Sequence, residues 1–134
     1  MHKEGSDIPA AELEVLGSLW RIGGGTVRDV LADMEAQGRR PAYTTVLTLL
    51  GRLERRGYVA ARMEGTAKAY RPRITRDRVA SGRLDDLARQ ISGGEAVPLI
   101  LKLVEAQDLS ADDLRELRRH LSLLEEGARK KGGR

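Results

Sequence analysis

Residues 42–59 read AYTTVLTLLGRLERRGYV, and this stretch decides the fold. Its apolar side chains have the spacing of one helix face: Val46, Leu49, Leu50 and Leu53. At about 100° per residue, Thr44, Thr48 and Arg52 line up on another side of the same helix, with Thr45 beside them. Threonine is a mediocre helix former because its branched side chain loses rotamer freedom in a helix. Three threonines beside one another therefore indicate a surface used for recognition.

Two helical patterns precede this stretch and a hairpin pattern follows it. Apolar residues at helical spacing predict a first helix that ends at the glycines 23–25, and Thr26 is placed to cap a second helix that ends at Gly38. Beyond the quoted helix the period changes to that of two short strands, 58–63 and 68–71, joined by a turn. Three helices followed by a β-hairpin is the order of a winged helix-turn-helix DNA-binding domain.

The chain reads as helical again beyond Pro72, which we take as the domain boundary. A short apolar helix and a last helix with heptad-like leucines would leave apolar area exposed in a single chain, so we expect pairing with a second copy. The leucines predicted to form this dimer interface are Leu99, Leu103, Leu114, Leu117, Leu121 and Leu124. The expected fold is mainly α with a small β-hairpin. It comprises a winged-helix domain at 1–73, a helical dimerisation region at 74–127 and a disordered basic tail at 128–134.

The charge of the chain is concentrated in its centre. The net charge is only +4, but residues 39–73 hold nine Lys or Arg and two Asp or Glu, a net +7. Residues 1–38 and 74–126 carry net charges of −4 and −3. One basic block between two acidic flanks indicates a single surface that meets an anion.

Composition excludes several classes of protein. The 134 residues suit one domain or a domain with an appendage, and the core must be aliphatic because there is no Phe and one Trp. The absence of Cys excludes disulfides, thiolate metal sites and cysteine nucleophiles. No apolar run approaches the roughly 20 residues of a membrane span, and the first ten residues lack a signal-peptide core. We therefore expect a soluble cytoplasmic protein with no membrane partner.

Helix, hairpin and basic block coincide, which predicts double-stranded DNA as the partner. We expect the threonine face to enter a major groove, where hydroxyls reach phosphates or bases and methyl groups touch thymine. The residues predicted to read or position DNA are Tyr43, Thr44, Thr45, Thr48 and Arg52. The residues predicted to contact phosphates from the preceding loop and the wing are Arg39, Arg40, Arg62, Lys68 and Arg71. Arg55 and Arg56 are interpreted as stabilising the helix end.

Several of these stretches together resemble one known family. The matching segments are AELEVLGSLW, TVRDVL, AYTTVLTLLGRLERRGYV, KAYRPRIT and VPLILKLVEAQDLSADDLRELRRHL, which together span roughly residues 8–125. They resemble the penicillinase repressor family of the BlaI/MecI type. The resemblance implies a homodimeric winged-helix repressor on a palindromic operator, with the third helix in the groove and the C-terminal helices at the dimer interface.

The resemblance also bears on how the repressor is released. Well-known members are inactivated when a membrane sensor metalloprotease signals β-lactam and the repressor is cut at an Asn-Phe bond in its C-terminal part. This chain has Lys102-Leu103 at the corresponding place, so cleavage there by a sensor protease is left open. The copper-responsive branch uses a C-terminal cysteine motif, which a chain without Cys lacks. The inducer, whether a β-lactam or another stress, stays open.

Other classes of function are weighed against a repressor. For an enzyme the chain offers no catalytic or metal-ligating set, and His2 and His120 have no ligand partner at helical spacing. The glycines 23–25 lack the strand and lysine of a phosphate loop, so they are interpreted as a plain linker. No cofactor is expected. A winged helix can also serve as a protein-interaction module, but its wing need not be basic. A regulator that binds a small ligand directly is a closer alternative, as is a last helix that folds back on its own domain.

Overall fold

The computed structural model describes residues 5–93 and 95–132. Its elements in chain order are α1 (Ala10–Ile22), β1 (Gly25–Thr26), α2 (Val27–Ala36), α3 (Tyr43–Arg55), β2 (Val59–Glu64), β3 (Ala67–Pro72), α4 (Arg76–Ser92), α5 (Ala96–Ala106) and α6 (Ala111–Gly132). The mainly helical class with a small antiparallel sheet is confirmed.

The hydrophobic core lies where α1, α2 and α3 meet beneath the sheet. Each helix contributes the apolar face that its sequence spacing predicts, and the four residues of the predicted apolar face of α3 are all buried. The largest fully buried side chains of the three helices are Val15, Leu16, Leu19, Val30, Val46, Leu50 and Leu53. The core is closed by Ile8 before α1, by Val59 and Tyr70 from the sheet, and by Ile74 and Val79 around the start of α4.

The sheet has three strands in the order β1-β3-β2, all antiparallel. The predicted hairpin is confirmed, with Val59 opposite Pro72 and Glu64 opposite Ala67. The interpretation of glycines 23–25 as a plain linker was wrong, because Gly25 and Thr26 form β1 and pair with β3. Gly24 makes this approach possible: its φ is +100°, and a Cβ there would lie 2.9 Å from the carbonyl oxygen of Tyr70.

Thr26 caps α2 as the sequence predicts. Its hydroxyl accepts from the backbone N–H of Asp29, and the Asp29 carboxylate accepts from the backbone N–H of Thr26 at 2.9 Å. This reciprocal pair satisfies two N–H groups that a helix start leaves without partners. Thr75 caps α4 through its hydroxyl, which accepts from the backbone N–H of Arg78 at 3.1 Å.

The C-terminal helices contribute nothing to the core. No described side chain of α5 or α6 is buried. α6 runs to Gly132, so the prediction of a disordered tail from residue 128 was wrong for residues 128–132. Alanine, arginine and lysine are good helix formers, and Arg129, Lys130 and Lys131 lie in the last turn, where cations favour the helix dipole.

A polar clamp joins α1 to α2 beside the core. Ser18 is fully buried, and its hydroxyl donates to Asp33 Oδ2 at 2.6 Å. Arg21, one turn further along α1, donates to the same oxygen through Nη2 at 2.8 Å. The hydrogen bonds from Arg21 and Ser18 hold the pKa of Asp33 below its ordinary value of 3.8. The charged carboxylate is therefore the form that stabilises the pairing of α1 with α2.

This clamp makes the free energy of unfolding depend on pH. Asp33→Ala should lower the free energy of unfolding by roughly 1–3 kcal/mol at pH 7, because the buried Ser18 hydroxyl keeps only the carbonyl of Val30, at 3.5 Å, as an acceptor. A depressed folded-state pKa gives stability that is present above the unfolded pKa and is lost as pH falls through the folded pKa. The penalty measured by urea unfolding should therefore be smaller at pH 2.5 than at pH 7.

The matched control is Asp108→Ala at an exposed position, which should have little effect at either pH. All samples need one protein concentration, because association would shift the transition. An Asp33→Ala penalty of equal size at both pH values would contradict the role of the charged clamp.

Candidate nucleic-acid interface

The face of α3 opposite the core is open to solvent. Thr44, Thr45, Thr48 and Arg52 are all exposed, as predicted from the helical spacing. Ala42 precedes the helix without a side-chain cap, and the first turn holds no acidic residue. The N–H groups of this first turn are therefore available to an anion such as phosphate.

Three further residues share this face that the sequence analysis did not assign to it. Leu47 is 43% exposed, although the opposite side of the same helix is fully apolar and buried. Arg55 lies about two turns beyond Thr48, within roughly 20° of it around the helix axis. Gly51 leaves the backbone bare between them, and an added Cβ would meet only Arg55 Nη1, at 3.7 Å. The 100° period that located the threonines also locates these three positions.

Tyr43 is the first residue of α3 and is 44% exposed. The guanidinium of Arg28, from α2, lies over its ring at 5.5 Å from the centroid. A cation over a tyrosine face is an attractive contact. Arg28 was not predicted as a site residue, because no sequence spacing links α2 to the start of α3. It brings another positive charge to the N-terminal end of the threonine face.

The two loop arginines carry carboxylate partners. Arg39 forms an ion pair with Glu14 of α1, and Arg40 Nη2 lies 3.7 Å from Glu35 Oε1 at the end of α2. The Arg40 side chain is 84% exposed and the Arg39 side chain 60%. Exposed ion pairs of this kind contribute at most about 1 kcal/mol, so a phosphate can replace the carboxylate at little cost.

The predicted cations of the wing do not share one face. In the strand register Arg62 lies opposite Ala69 and Arg71 opposite Ala60, which places both arginines on the outer face of the hairpin. Lys68 lies on the other face with the buried Tyr70, and its Nζ donates to Glu54 of α3 at 3.1 Å. The hydrogen bond that Lys68 donates to Glu54 raises the pKa of Lys68. Lys68 therefore ties the wing to α3, whereas Arg62 pairs with Glu64 of its own strand at 3.7 Å. All three cations are exposed.

A family model described as penicillinase repressor matches residues 8–123. The chain belongs to the penicillinase repressor family. The transcriptional regulator BlaI of Mycobacterium tuberculosis (strain H37Rv) is 36% identical over 118 residues, which cover 87% of this chain and 83% of that protein. The methicillin resistance regulatory protein MecI of Mammaliicoccus sciuri is 24% identical over 116 residues, covering 87% and 94%. The resemblance drawn from the sequence is confirmed, and the chain is a non-enzymatic transcriptional regulator of the BlaI/MecI type.

Solved structures that align with this chain include the YusO protein of Bacillus subtilis. It aligns with a TM-score of 0.48 and 23% identity over 78% of this chain and 79% of that one. A mutant MarR from E. coli, complexed with operator DNA, aligns with a TM-score of 0.45 and 20% identity over 91% and 81%.

The residues that the sequence analysis assigned to the C-terminal part lie on the exposed helices α5 and α6. Of the leucines predicted to pair two copies, Leu99 is half-buried. The other five are exposed: Leu103, Leu114, Leu117, Leu121 and Leu124. Lys102 and Leu103, where cleavage was left open from the sequence, lie in the middle of α5. A protease binds an extended backbone, so cleavage there requires α5 to unwind first.

Neither a metal centre nor a membrane segment is found in the described ranges. Residues 5–93 and 95–132 contain no group of three or more His, Cys, Asp or Glu placed to hold an ion. None of the helices within these ranges is long and apolar enough to cross a bilayer.

Arg56 belongs to an internal network rather than to the open face. Its guanidinium lies 2.7 Å from Asp7 Oδ2 and 3.5 Å from Glu12 Oε1. Glu12 is only 3% exposed, and its Oε1 has no hydrogen-bond partner, so the charge of Arg56 is what compensates this buried carboxylate. The Tyr58 hydroxyl also donates to Asp7, at 3.1 Å. The network fixes the segment before α1 to the end of α3.

The adjacent arginines Arg55 and Arg56 should therefore differ in their effect on stability. Arg56→Gln should lower the free energy of unfolding by roughly 1–3 kcal/mol, because Glu12 loses its compensating charge. Arg55→Gln, the matched control on the open face, should change it by less than about 0.5 kcal/mol. Urea unfolding at one protein concentration measures both. Equal losses for the two variants would place Arg55 in the internal network as well.

Proposed function

We propose that this protein is a cytoplasmic homodimeric repressor that binds a palindromic operator, with α3 of each subunit in a major groove. The observation that carries the proposal is the composition of the open face of α3. Threonines, a leucine and two arginines lie there on a helix whose other face is buried in the core. A helix fixed in this way presents its outer side chains as one rigid surface.

The open face suits close contact with base edges. Thr44 and Thr48 have short side chains, and Gly51 has none, so the helix backbone can lie deep in a groove. Leu47 offers apolar contact to a thymine methyl group, which is a feature of the major groove only. Arg52 and Arg55 can reach phosphates or guanine at the far end of the face.

The surrounding cations would hold the DNA backbone on either side of α3. Arg39 and Arg40 precede the helix, and Arg62 and Arg71 lie on the outer face of the wing. Backbone contacts of this kind position the protein without reading sequence. Lys68 is assigned a smaller role here, because it lies on the face of the wing that is turned toward α3.

The dimer is supported by the apolar side chains that a single chain leaves uncovered. Leu114, Leu117, Leu121 and Leu124 follow one side of α6 and are 40–70% exposed. A lone helix in water gains little from its own propensity, so a helix of 22 residues without buried side chains needs a partner surface. A second copy would supply it and would present two α3 helices about 34 Å apart on DNA.

The same interface would explain inactivation by cleavage. A sensor protease that cut between Lys102 and Leu103 would separate α6 from the winged-helix domain and so remove the seam that pairs the subunits. A link to β-lactam or to another stress would enter at this step.

Fluorescence anisotropy tests DNA binding directly. The probe is a labelled duplex from upstream of the protein's own gene, and the control is a scrambled duplex. We expect roughly 10³-fold tighter binding to the upstream duplex and a steep loss of affinity with salt. Equally weak binding to both duplexes, or none at low salt, would contradict a sequence-specific repressor.

Two variants separate backbone contact from base reading. Arg40→Ala should weaken binding to both duplexes by a similar factor and lower the salt slope by about one, as for a lost phosphate contact. Leu47→Ala should weaken operator binding about fivefold and leave scrambled DNA unaffected, because only a base contact is lost. Replacing operator thymines one at a time by deoxyuridine removes one methyl group each time. At one position this replacement should weaken binding by the wild type and leave binding by Leu47→Ala unchanged. Equal sensitivity of the two proteins at every position would contradict the role of Leu47.

Leu117→Glu combined with Leu121→Glu tests the dimer. Two carboxylates on the seam should give a monomer in sedimentation equilibrium and weaken operator binding by more than about 10²-fold, since each half-site would bind alone. Arg119→Glu on the opposite side of α6 is the matched control and should remain dimeric. A wild-type monomer at micromolar concentration, or operator binding that survives in the double variant, would contradict the proposal.

A further inference from the structure

A cavity of about 790 Å³ lies between α1, the end of α2 and the first half of α4. Residues of α1 and α4 line it, among them two small ones, the half-buried Gly17 and the exposed Ala80. A Cβ added at Gly17 would meet only Arg21 Nη1, at 3.8 Å, so this side of the cavity is open. The volume falls within the range of small-molecule sites in proteins.

The floor of the cavity is apolar and one wall is aromatic. Met34 and Val79 are buried beneath it, and Leu13 is half-buried. The Trp20 ring is fixed in orientation, because its indole N–H donates to the carbonyl of Ile74 at 2.9 Å. A fixed indole face beside buried aliphatic groups suits a flat apolar ligand.

The rim of the cavity is positively charged. Four arginines reach it, against a single carboxylate, that of Glu14. Glu14 pairs with Arg39, Asp33 pairs with Arg21, and Arg83 donates to the carbonyl of Ile8 at 2.8 Å. Arg76 lies over the Trp20 ring at 5.6 Å and has no carboxylate partner within the described residues. An anionic group placed beside Trp20 would supply that partner.

We propose that this cavity binds a small flat apolar molecule that carries a carboxylate, and that its occupancy changes the affinity for DNA. The apolar body lies on Trp20 between Gly17 and Ala80, and the carboxylate pairs with Arg76. The effect on DNA rests on the proposed function, whereas binding in the cavity does not.

The coupling follows from which elements line the cavity. Arg39 precedes α3 and is one of the predicted phosphate contacts, and α4 leads from the core to the exposed helices of the proposed dimer. A molecule between α1 and α4 fixes the position of α4 against α1. In the proposed dimer it thereby fixes the distance between the two α3 helices. A ligand that favours one seating must itself bind more tightly or more weakly when DNA is bound, by the same factor.

Trp20 provides a direct reporter because it is the only tryptophan of the chain. The probes are 2-naphthoate and its uncharged analogue 2-naphthamide, titrated into ¹⁵N-labelled protein while the single indole N–H resonance is followed. We expect a saturable shift with naphthoate and binding about tenfold weaker for the amide, because the charged contact to Arg76 is lost.

Variants then locate the probe. Gly17→Leu and Ala80→Leu fill the cavity from opposite sides, and both should abolish the naphthoate shift. Each also replaces a residue within a helix by a good helix former, so both variants should fold. Arg76→Gln should weaken naphthoate about tenfold and the amide hardly at all, whereas Arg89→Gln, on α4 but outside the cavity, should leave both unchanged. A shift that survives both filling variants, or no saturable shift, would overturn the site.

The coupling is measured with the operator duplex. Saturating naphthoate should change the anisotropy Kd of wild type by about fivefold or more and that of Gly17→Leu not at all. A saturable indole shift with an unchanged DNA affinity would overturn the proposed coupling to DNA binding, but the ligand site itself would stand. An indole resonance that moves on dilution through the dimer range, but not with naphthoate, would assign the cavity to the partner subunit and overturn the ligand. Absence of DNA binding at every condition would instead count against the proposed function, since the indole titration contains no DNA.

Discussion

The burial of one face of α3 against α1 and α2 is the constraint on which the rest of the structure depends. Val46, Leu50 and Leu53 are fully buried there, and Leu49 nearly so. At roughly 1.5–3 kcal/mol for each buried aliphatic side chain, this face outweighs the few tenths of a kcal/mol that each threonine costs a helix. The apolar face sets the orientation of α3, and so the threonines, Leu47 and Arg55 need no packing of their own to lie on one surface.

Both ends of α3 are tied to other parts of the domain. At the C-terminal end, Glu54 binds Lys68 of the wing, and Arg56 binds Asp7 and the buried Glu12. At the N-terminal end, the ring of Tyr43 lies under the Arg28 guanidinium. These contacts explain why charges adjacent in sequence serve different purposes. Arg56 fixes the helix in place, whereas Arg55 is turned toward the open face.

The sequence was sufficient for the parts that depend on periodicity. The helices of the core, the hairpin and the exposure of Thr44, Thr45 and Thr48 follow from intervals of two or of three to four residues. Contacts between segments distant in sequence could not be predicted from periodicity. The pairing of β1 with β3 depends on a backbone approach at Gly24, and the role of Lys68 depends on the strand register relative to α3. The cavity beside Trp20 depends on how α4 leaves the core, which no spacing within α4 specifies.

The two parts of the chain differ in how they are stabilised, and α4 joins them. Around its start Ile74 and Val79 are buried with the winged-helix core, whereas Leu84, Leu87 and Ile91 further along are exposed. The apolar area of α5 and α6 has no inner layer of its own, so a partner surface would have to cover it. In such a dimer any change in the seating of α4 on α1 is transmitted to the distance between two recognition helices. Because the half-sites of the proposed palindromic operator lie at a fixed spacing, a small movement at this junction would alter DNA affinity without a change to any residue of the proposed DNA-binding face.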